Sequence, residues 1–300
     1  MSKNFDLIVI GAGITGLTAA RCAIDFGKSV ALFESELMGG LVVNVGKLEG
    51  YPTTEDVSGI ELAMTLAEQC MTLGVQIIED LVENVLFEGD EKVVKTASGE
   101  YRAPKLIVAS GASMKKLGVI GEDRLYGRGV SQCAFCDGGM FMDQEVVVAG
   151  GGDAALQEAL HLAEFCSKIT LVVRSNRLRA RQAYVAQAAD NPKFVFRWNT
   201  VVETIEGSDG VESAALRDIN KDTLENLACS GVFVFVGVAP NTGYLPEGVA
   251  RDESGAVRVD EMLESSVPGL YAAGAARSGY PGQVANAVGE GTAAAIAALG

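Results

Sequence analysis

Apolar residues along the chain form short runs that alternate with glycine-rich turns and helical segments. The first run, Asp6 to Ile10, ends at a glycine-rich turn, and apolar residues then recur at helical spacing from Leu17 to Phe26. A second apolar run, Ser29 to Phe33, follows that helix. Continuous apolar runs of this length are typical of strands buried on both faces of a parallel sheet. The pattern therefore predicts a strand–helix–strand unit at the start of the chain.

The same pattern returns near the middle of the chain. A strand is predicted from Glu145 to Ala149, a helix follows the next glycine turn to about Phe165, and a second strand is predicted from Lys168 to Val173. The remaining predicted elements are a helix from Ile60 to Leu73, a small antiparallel sheet within Val75 to Thr96, strands at Leu106 to Ala112, Gly231 to Val238 and Leu270 to Gly274, and a helix near Thr292 to Leu299. The strands after the repeat indicate that the second unit interrupts the first.

The first glycine turn has the spacing of a dinucleotide-binding turn. Gly11, Gly13 and Gly16 let the backbone turn tightly and approach a pyrophosphate, whose charge lies at the positive end of the following helix. Glu34 ends the second strand, at the position where an acid meets the ribose hydroxyls. Strand, turn, helix and acid together favour a nucleotide site over an ordinary glycine-rich turn.

The second turn predicts a second nucleotide site with different chemistry. Its candidate residues are Gly150, Gly152, Asp153 and Ala155. The strand after its helix ends in Arg174, which is followed by Arg177, Arg179 and Arg181. Basic side chains at this position favour a 2′-phosphate, and hence NADP(H) over NAD(H). A solvated surface loop is the alternative interpretation of these arginines.

Composition and charge narrow the class of protein. The chain has 300 residues with 48% apolar composition, which is enough for one large domain or two ordinary ones. Asp and Glu number 39 against 24 Lys and Arg, for a net charge of −15, so nucleic acid and anionic membranes are disfavoured as partners. The N-terminal residues run straight into a strand-like segment without the features of a signal peptide, and no apolar segment is long enough to span a bilayer. We expect a cytoplasmic protein.

Cys133 and Cys136 form the only closely spaced pair among six cysteines. In a reducing compartment such a pair indicates redox chemistry or metal binding. Two cysteines separated by two residues can close a disulfide, and their thiol pKa values fall when they open a helix. Zinc is disfavoured, because a closed site needs four ligands and no second pair is present. Buried, inert cysteines are the other alternative.

The chain resembles the low-molecular-weight thioredoxin reductases from end to end. The matching segments are Gly11 to Gly16, Gly39-Gly40, Ala109 to Ala112, Gly127 to Ser131, Cys133 to Gly138, the second glycine turn, Gly237 to Thr242 and Pro268 to Gly274. The resemblance implies an α/β fold of two Rossmann-like dinucleotide-binding domains, the second inserted into the first. Residues 1–113 and 243–300 are expected to bind FAD, and residues 116–240 to bind NADPH and carry the dithiol.

The resemblance also implies the roles of individual residues. Cys136 is expected to exchange electrons with the flavin, Cys133 to attack the substrate disulfide, and Asp137 to act as the acid and base. Further cofactor residues are expected at Gly39, Gly40, Ala109, Gly111, Gly274 and Gln283. The implied assembly is a homodimer, and the implied partner is thioredoxin or a thioredoxin-like protein.

Several positions depart from the family pattern. Ala275 replaces the aspartate that holds the ribityl chain of FAD, and Gln283 is preceded by Gly282 where an arginine is usual. At the second site, Ser175 replaces one of the phosphate-binding arginines and Gln157 the first of two glutamates. Leu41 and Gly50 also differ from the usual glutamine and asparagine. These departures weaken the cofactor sites more than the dithiol.

The leading hypothesis is an NADPH-dependent reductase of thioredoxin or a similar protein disulfide. The alternatives are an FAD-dependent dithiol oxidase that uses oxygen, a reductase with another electron donor, and a flavin-binding regulatory protein without turnover. Ferredoxin-type NADP reductases lack the dithiol and are disfavoured. His161 is interpreted as a packing or surface residue, and Phe194, Phe196 and Trp198 as one packed strand face.

Overall fold

The computed structural model describes residues 3–49, 51–52 and 57–300, so Gly50 lies outside the described residues. The strands are β1 (Lys3–Asn4), β2 (Leu7–Ile10), β3 (Val30–Glu34), β4 (Gln76–Glu79), β5 (Val82–Glu88), β6 (Glu91–Thr96), β7 (Gly99–Ala103), β8 (Lys105–Val108), β9 (Ala112–Met114), β10 (Val130–Ser131), β11 (Glu145–Ala149), β12 (Lys168–Val173), β13 (Phe194–Trp198), β14 (Thr200–Glu206), β15 (Ser213–Asp218), β16 (Thr223–Ala228), β17 (Gly231–Val234), β18 (Val238–Pro240) and β19 (Leu270–Ala272). The helices are α1 (Ile14–Ile24), α2 (Gly59–Thr72), α3 (Glu122–Leu125), α4 (Ala134–Asp137), α5 (Asp153–Phe165), α6 (Gln182–Asp190) and α7 (Val284–Leu299), and 3-10 turns cover Gly40–Asn44, Gly138–Phe141 and Gly274–Ala276.

The backbone divides into two compact units. One comprises Met1–Ser113 and Ala239–Gly300, and the other comprises Met114–Val238. The two connections between them pair as the short strands β9 and β18. No helix among the described residues is long and apolar enough to cross a membrane.

The first unit is built on a five-stranded parallel sheet in the order β19-β8-β2-β3-β4. Leu7 and Val9 of β2 join a core with α1 and α7, whereas Ile8 and Ile10 join a core on the opposite face. Because successive strand residues point to opposite faces, the continuous apolar run of β2 reflects burial on both sides. A second sheet, β1-β7-β6-β5, covers that opposite face.

The second unit repeats this arrangement. Its five-stranded parallel sheet has the order β10-β17-β11-β12-β13. Val146 and Val148 of β11 pack with α5 and α6, whereas Val147 and Ala149 pack with the antiparallel strands β14, β15 and β16. The predicted α/β fold with two Rossmann-like domains is therefore confirmed.

Two predicted elements were wrong in detail. Gln76–Glu79, expected in the small antiparallel sheet, pairs in parallel with β3, because the preceding helix α2 returns the chain to the edge of the main sheet. The strand expected from Gly231 to Val238 ends at Val234, since Gly237 takes a φ of 106° and turns the chain before β18. The packed aromatic face is confirmed, because Phe196 stacks on both Phe194 and Trp198.

Candidate functional site

The predicted dithiol lies at the start of a helical turn, as expected from the sequence. Cys133 and Cys136 are joined by a disulfide with 5.3 Å between their Cα atoms. Cys133 is the N-cap of α4, and its Sγ accepts a hydrogen bond from the backbone N–H of Cys136 at 3.1 Å. Cys136 is exposed and Cys133 half-buried. An amide N–H aimed at a cysteine sulfur stabilises that sulfur as a thiolate, so the turn suits thiol–disulfide exchange.

Side chains from neighbouring elements hold the dithiol segment. The Ser131 hydroxyl, at the end of β10, accepts a hydrogen bond from the Cys133 N–H at 3.0 Å. Glu158 on α5 accepts a hydrogen bond from the Ala134 N–H at 2.8 Å. Burial raises the pKa of Glu158, and its hydrogen bonds from the Ala134 and Phe135 amides oppose that rise. The sequence did not reveal Glu158, which lies more than twenty residues from the dithiol.

His161 also lies beside the dithiol segment. Its ring is 5.8 Å from the ring of Phe135, which stands between the two cysteines, and 5.3 Å from the ring of Phe165. Interpreting His161 as a packing residue was therefore correct, but its distance from the dithiol in sequence was misleading. One helical turn of α5 places Glu158 and His161 against the same segment.

Asp137, the predicted acid and base, follows Cys136 directly and ends α4. Its backbone N–H donates to the Cys133 carbonyl at 3.2 Å, which closes the turn. The residue is half-buried. Its position next to both cysteines is set by the sequence, and the turn keeps all three residues within one short segment.

The other four cysteines differ from this pair. Cys70, Cys166 and Cys229 are buried, and burial raises the pKa of their thiols to about 11, 11 and 12. Burial also raises the pKa of the half-buried Cys22. Such thiols are poor nucleophiles at neutral pH. No cluster that could hold a metal ion occurs among the residues that the structure describes.

The first glycine turn is shaped for close contact with a ligand backbone. Gly11 has a φ of +99°, and a side chain there would collide with the Ala109 carbonyl. A Cβ on Gly16 would lie 1.8 Å from the Gly11 carbonyl oxygen. Gly13 is the N-cap of α1 without a side-chain cap, so the first amides of that helix stay open. These features fit a pyrophosphate at the start of α1.

Glu34 is bound into this turn. One carboxylate oxygen accepts the Ala12 N–H at 2.9 Å, and the other accepts the N–H groups of Ser35 at 2.9 Å and Glu36 at 3.1 Å. A carboxylate fixed in this way still has lone pairs for ribose hydroxyls. The residues present at this end of the sheet therefore fit the adenosine half of FAD.

The other predicted FAD residues belong to the same unit. Gly39 forms a bridge with Gly13, and Gly40 follows it at a φ of 64°. Ala109 and Gly111 follow β8, and the Gly111 carbonyl accepts the Asn241 N–H at 3.0 Å. Gln283 is the exposed N-cap of α7.

The turn that carries Ala275 is held by another carboxylate. Glu290 on α7 accepts the Gly274 N–H at 2.8 Å and the Arg277 Nε–H at 2.8 Å. The hydrogen bond to Glu290 raises the pKa of Arg277. Glu290 is thus a carboxylate close to the missing aspartate, but Arg277 already neutralises it. A direct carboxylate contact to the ribityl chain from Ala275 itself is absent.

The second glycine turn resembles the first in its backbone. Gly150 has a φ of +149°, and a Cβ there would lie 2.4 Å from the Phe235 carbonyl oxygen and 2.8 Å from the Ala155 side chain. Gly152 is the N-cap of α5 without a side-chain cap, and no atom lies within 4 Å of its Cβ position. This turn also fits a pyrophosphate at a helix start.

The arginines after β12 divide into two kinds. Arg181 donates through Nε to the Asp153 carboxylate at 2.9 Å and lies over the Tyr184 ring. Arg174, Arg177 and Arg179 are exposed, and none forms a salt bridge among the described residues. Free guanidinium groups in an acidic protein fit an anionic ligand such as a phosphate. Arg181, in contrast, is used to hold Asp153.

Comparison with known proteins places this architecture in a family. The profile of the pyridine nucleotide-disulphide oxidoreductases matches residues 5–291. A thioredoxin reductase of Treponema pallidum is 37% identical over 99% of this chain and 97% of its own length. The chain belongs to the low-molecular-weight thioredoxin reductase family. A thioredoxin reductase of Bacillus subtilis is also 37% identical, over 98% of this chain and 93% of its own length.

Solved structures agree with this membership. The crystal structure of Lactococcus lactis thioredoxin reductase in its FR conformation has a TM-score of 0.94 and 34% identity, and the match covers 98% of this chain and 97% of that one. Membership of the thioredoxin reductase family makes this chain a flavoprotein disulfide oxidoreductase. The oxidase and regulatory alternatives are not favoured.

Proposed function

We propose that the chain passes electrons from NADPH through FAD and the Cys133–Cys136 pair to the disulfide of thioredoxin or a thioredoxin-like protein. The observation that carries the proposal is the disulfide at the start of α4, where an amide N–H is aimed at Cys133 Sγ. The four remaining thiols have raised pKa values and are unsuited to exchange.

The two glycine turns are the proposed cofactor sites. FAD is assigned to the unit with Gly11, Gly13, Gly16 and Glu34, and NADPH to the unit with Gly150, Gly152, Arg174 and Arg179. When bound, the flavin supplies the change from a two-electron hydride donor to thiol chemistry. The open helix starts bind pyrophosphates, and the unpaired arginines bind the 2′-phosphate.

The thiol steps are carried by residues of one segment. Reduction of the Cys133–Cys136 disulfide takes up two electrons and two protons and yields two thiols. The Cys133 thiolate then attacks one sulfur of the substrate disulfide, whose S–S bond breaks as a mixed disulfide forms. The leaving substrate thiolate takes a proton from Asp137. Cys136 attacks Cys133 Sγ, which restores the internal disulfide and releases the second substrate thiol.

A homodimer in the cytoplasm is also proposed. Both features rest on the resemblance to the thioredoxin reductases. Size-exclusion chromatography with light scattering distinguishes a dimer from a monomer of 31.3 kDa.

A stopped-flow comparison of electron donors tests the proposed direction of electron flow. NADPH, NADH and a small dithiol are each mixed anaerobically with the oxidised, flavin-loaded protein, and the flavin absorbance is followed. We expect NADPH to reduce the flavin fastest at low concentration, because Arg174 and Arg179 recognise its extra phosphate. Reduction by the dithiol alone contradicts the proposal and supports an oxidase.

A further inference from the structure

The amides at the start of α4 are divided between two acceptors. The Cys136 N–H donates to Cys133 Sγ at 3.1 Å. The Ala134 N–H donates to Glu158 Oε2 at 2.8 Å, and the Phe135 N–H also donates to this carboxylate. Glu158 therefore performs the work of a helix-capping side chain from a different helix. The cysteine sulfur is left with one amide of its own.

Glu158 is fixed on a rigid element. The helix α5 packs through Ala155, Ala159 and Leu162 into the core of its unit. One turn further along, His161 contacts the Phe135 ring. Two contacts from one packed helix thus hold the short segment that carries the disulfide. A carboxylate anchored in this way is well suited to position a redox group.

The charge of Glu158 is balanced by hydrogen bonds rather than by a cation. No salt bridge involves Glu158 among the described residues, and its nearest basic side chain on α5, His161, lies 3.6 Å from Glu164. Reduction of the disulfide places negative charge on the Cys133 sulfur whenever that thiol ionises. A carboxylate on the adjacent amides opposes this charge, because like charges close together disfavour each other's ionised form.

We propose that Glu158 is a positioning residue that biases the Cys133–Cys136 couple towards the disulfide. It holds the turn that aims the Cys136 N–H at Cys133 Sγ, and its charge makes the dithiol a stronger reductant. The inference rests on the proposed function, in which this couple is reduced and then gives up its electrons. A more reducing couple transfers electrons more completely to a substrate disulfide.

The bias is measured by equilibrating the flavin-loaded full chain anaerobically with dithiothreitol buffers of defined ratio. In each exchange, two thiols of dithiothreitol lose two electrons and two protons and close a ring, while the Cys133–Cys136 disulfide gains them and opens. Alkylation followed by mass spectrometry of the peptide that contains both cysteines gives the reduced fraction. No turnover is needed, so the result is independent of the electron donor.

Glu158→Gln is the decisive variant, because the side chain keeps its shape and one acceptor oxygen but loses its charge. We expect the equilibrium constant to move about tenfold towards the dithiol, which corresponds to about 30 mV for a two-electron couple. The matched control is Glu164→Gln on the same helix, whose carboxylate is 66% exposed and pairs with His161. We expect its equilibrium constant to stay within twofold of the parent value.

A second variant separates charge from packing. Glu158→Asp keeps the charge and shortens the side chain, so its equilibrium constant should stay within threefold of the parent. A tenfold shift in Glu158→Asp as large as that in Glu158→Gln would assign the effect to packing and overturn the inference. An unshifted Glu158→Gln couple overturns it as well, even if the melting temperature falls. A couple that exchanges with the buffer in no protein contradicts the proposed function together with the inference.

Discussion

The two glycine turns share a backbone but end in opposite charges. Each follows a parallel strand, each places an uncapped glycine before a helix, and each has a glycine that no side chain could replace. In the first unit, the next strand ends at Glu34, which is bound by three amides. In the second unit, the corresponding strand ends before Arg174, which is exposed and forms no salt bridge among the described residues.

This difference separates what the fold dictates from what the ligand dictates. The glycines are required by the close approach of a strand end and a helix, whatever nucleotide binds. The residue after the second strand faces a sugar hydroxyl in one case and a phosphate in the other. Glu34 is fixed by its own turn, whereas Arg174 and Arg179 are left for a ligand to order.

The largest expected effect separates both turns from the dithiol that they serve. Cys136→Ser removes the sulfur that closes the internal disulfide, so the turnover of a protein disulfide should fall by at least about a thousandfold. Reduction of the flavin by NADPH should continue, because both nucleotide turns are intact. Rapid-mixing absorbance and a coupled disulfide assay measure the two steps. Cys22→Ser, which alters a thiol of the other unit, is the control and should turn over normally.

The next effect exchanges the roles of the two turns. Gly13→Val and Gly152→Val place a side chain where the nearest other atom is at least 3.8 Å away in the first turn and beyond 4 Å in the second. Both variants should fold, since neither glycine has a positive φ. We expect Gly13→Val to lose its yellow flavin and Gly152→Val to keep it while binding NADPH at least about tenfold more weakly. Flavin absorbance and calorimetric titration distinguish these outcomes, and loss of flavin from Gly152→Val would contradict the assignment of the turns.

A smaller effect tests the arginines alone. Arg174→Ala should weaken NADPH binding by about ten- to a hundredfold, because a charge-assisted contact to phosphate is worth about 1.5–3 kcal/mol. The affinity for NADH should change less than about twofold, since NADH lacks the 2′-phosphate. Arg128→Ala is the matched control, because Arg128 is another exposed arginine of the same unit. Equal losses for both nucleotides would show that Arg174 does not recognise the phosphate.

Local patterns revealed most of the fold and the two turns. The strand Lys168–Val173 was predicted with its observed bounds, because its apolar run and its flanking residues depend only on neighbouring positions. The sequence could not show that β4 joins the main sheet, since this pairing depends on the path of α2. Glu158 and His161 were missed for the same reason, because only the packing of α5 on α4 brings them to the dithiol.

The departures from the family pattern gain a physical meaning in the structure. Ala275 stands beside a turn that Glu290 already holds through the Gly274 amide, so the turn survives without an aspartate. The hydroxyl of Ser175 donates to the Arg177 carbonyl at 2.7 Å and shapes the arginine loop instead of binding a phosphate. Neither role could be predicted without the positions of residues distant in the chain or across the loop.

The most direct test of the proposed electron path is an anaerobic titration of the oxidised protein with NADPH, in which flavin absorbance and free thiols are measured together. The proposed path predicts that the flavin absorbance bleaches and that two new thiols per chain appear, at Cys133 and Cys136. A flavin that stays oxidised, or one that bleaches while the Cys133–Cys136 disulfide remains closed at every NADPH concentration, would contradict it.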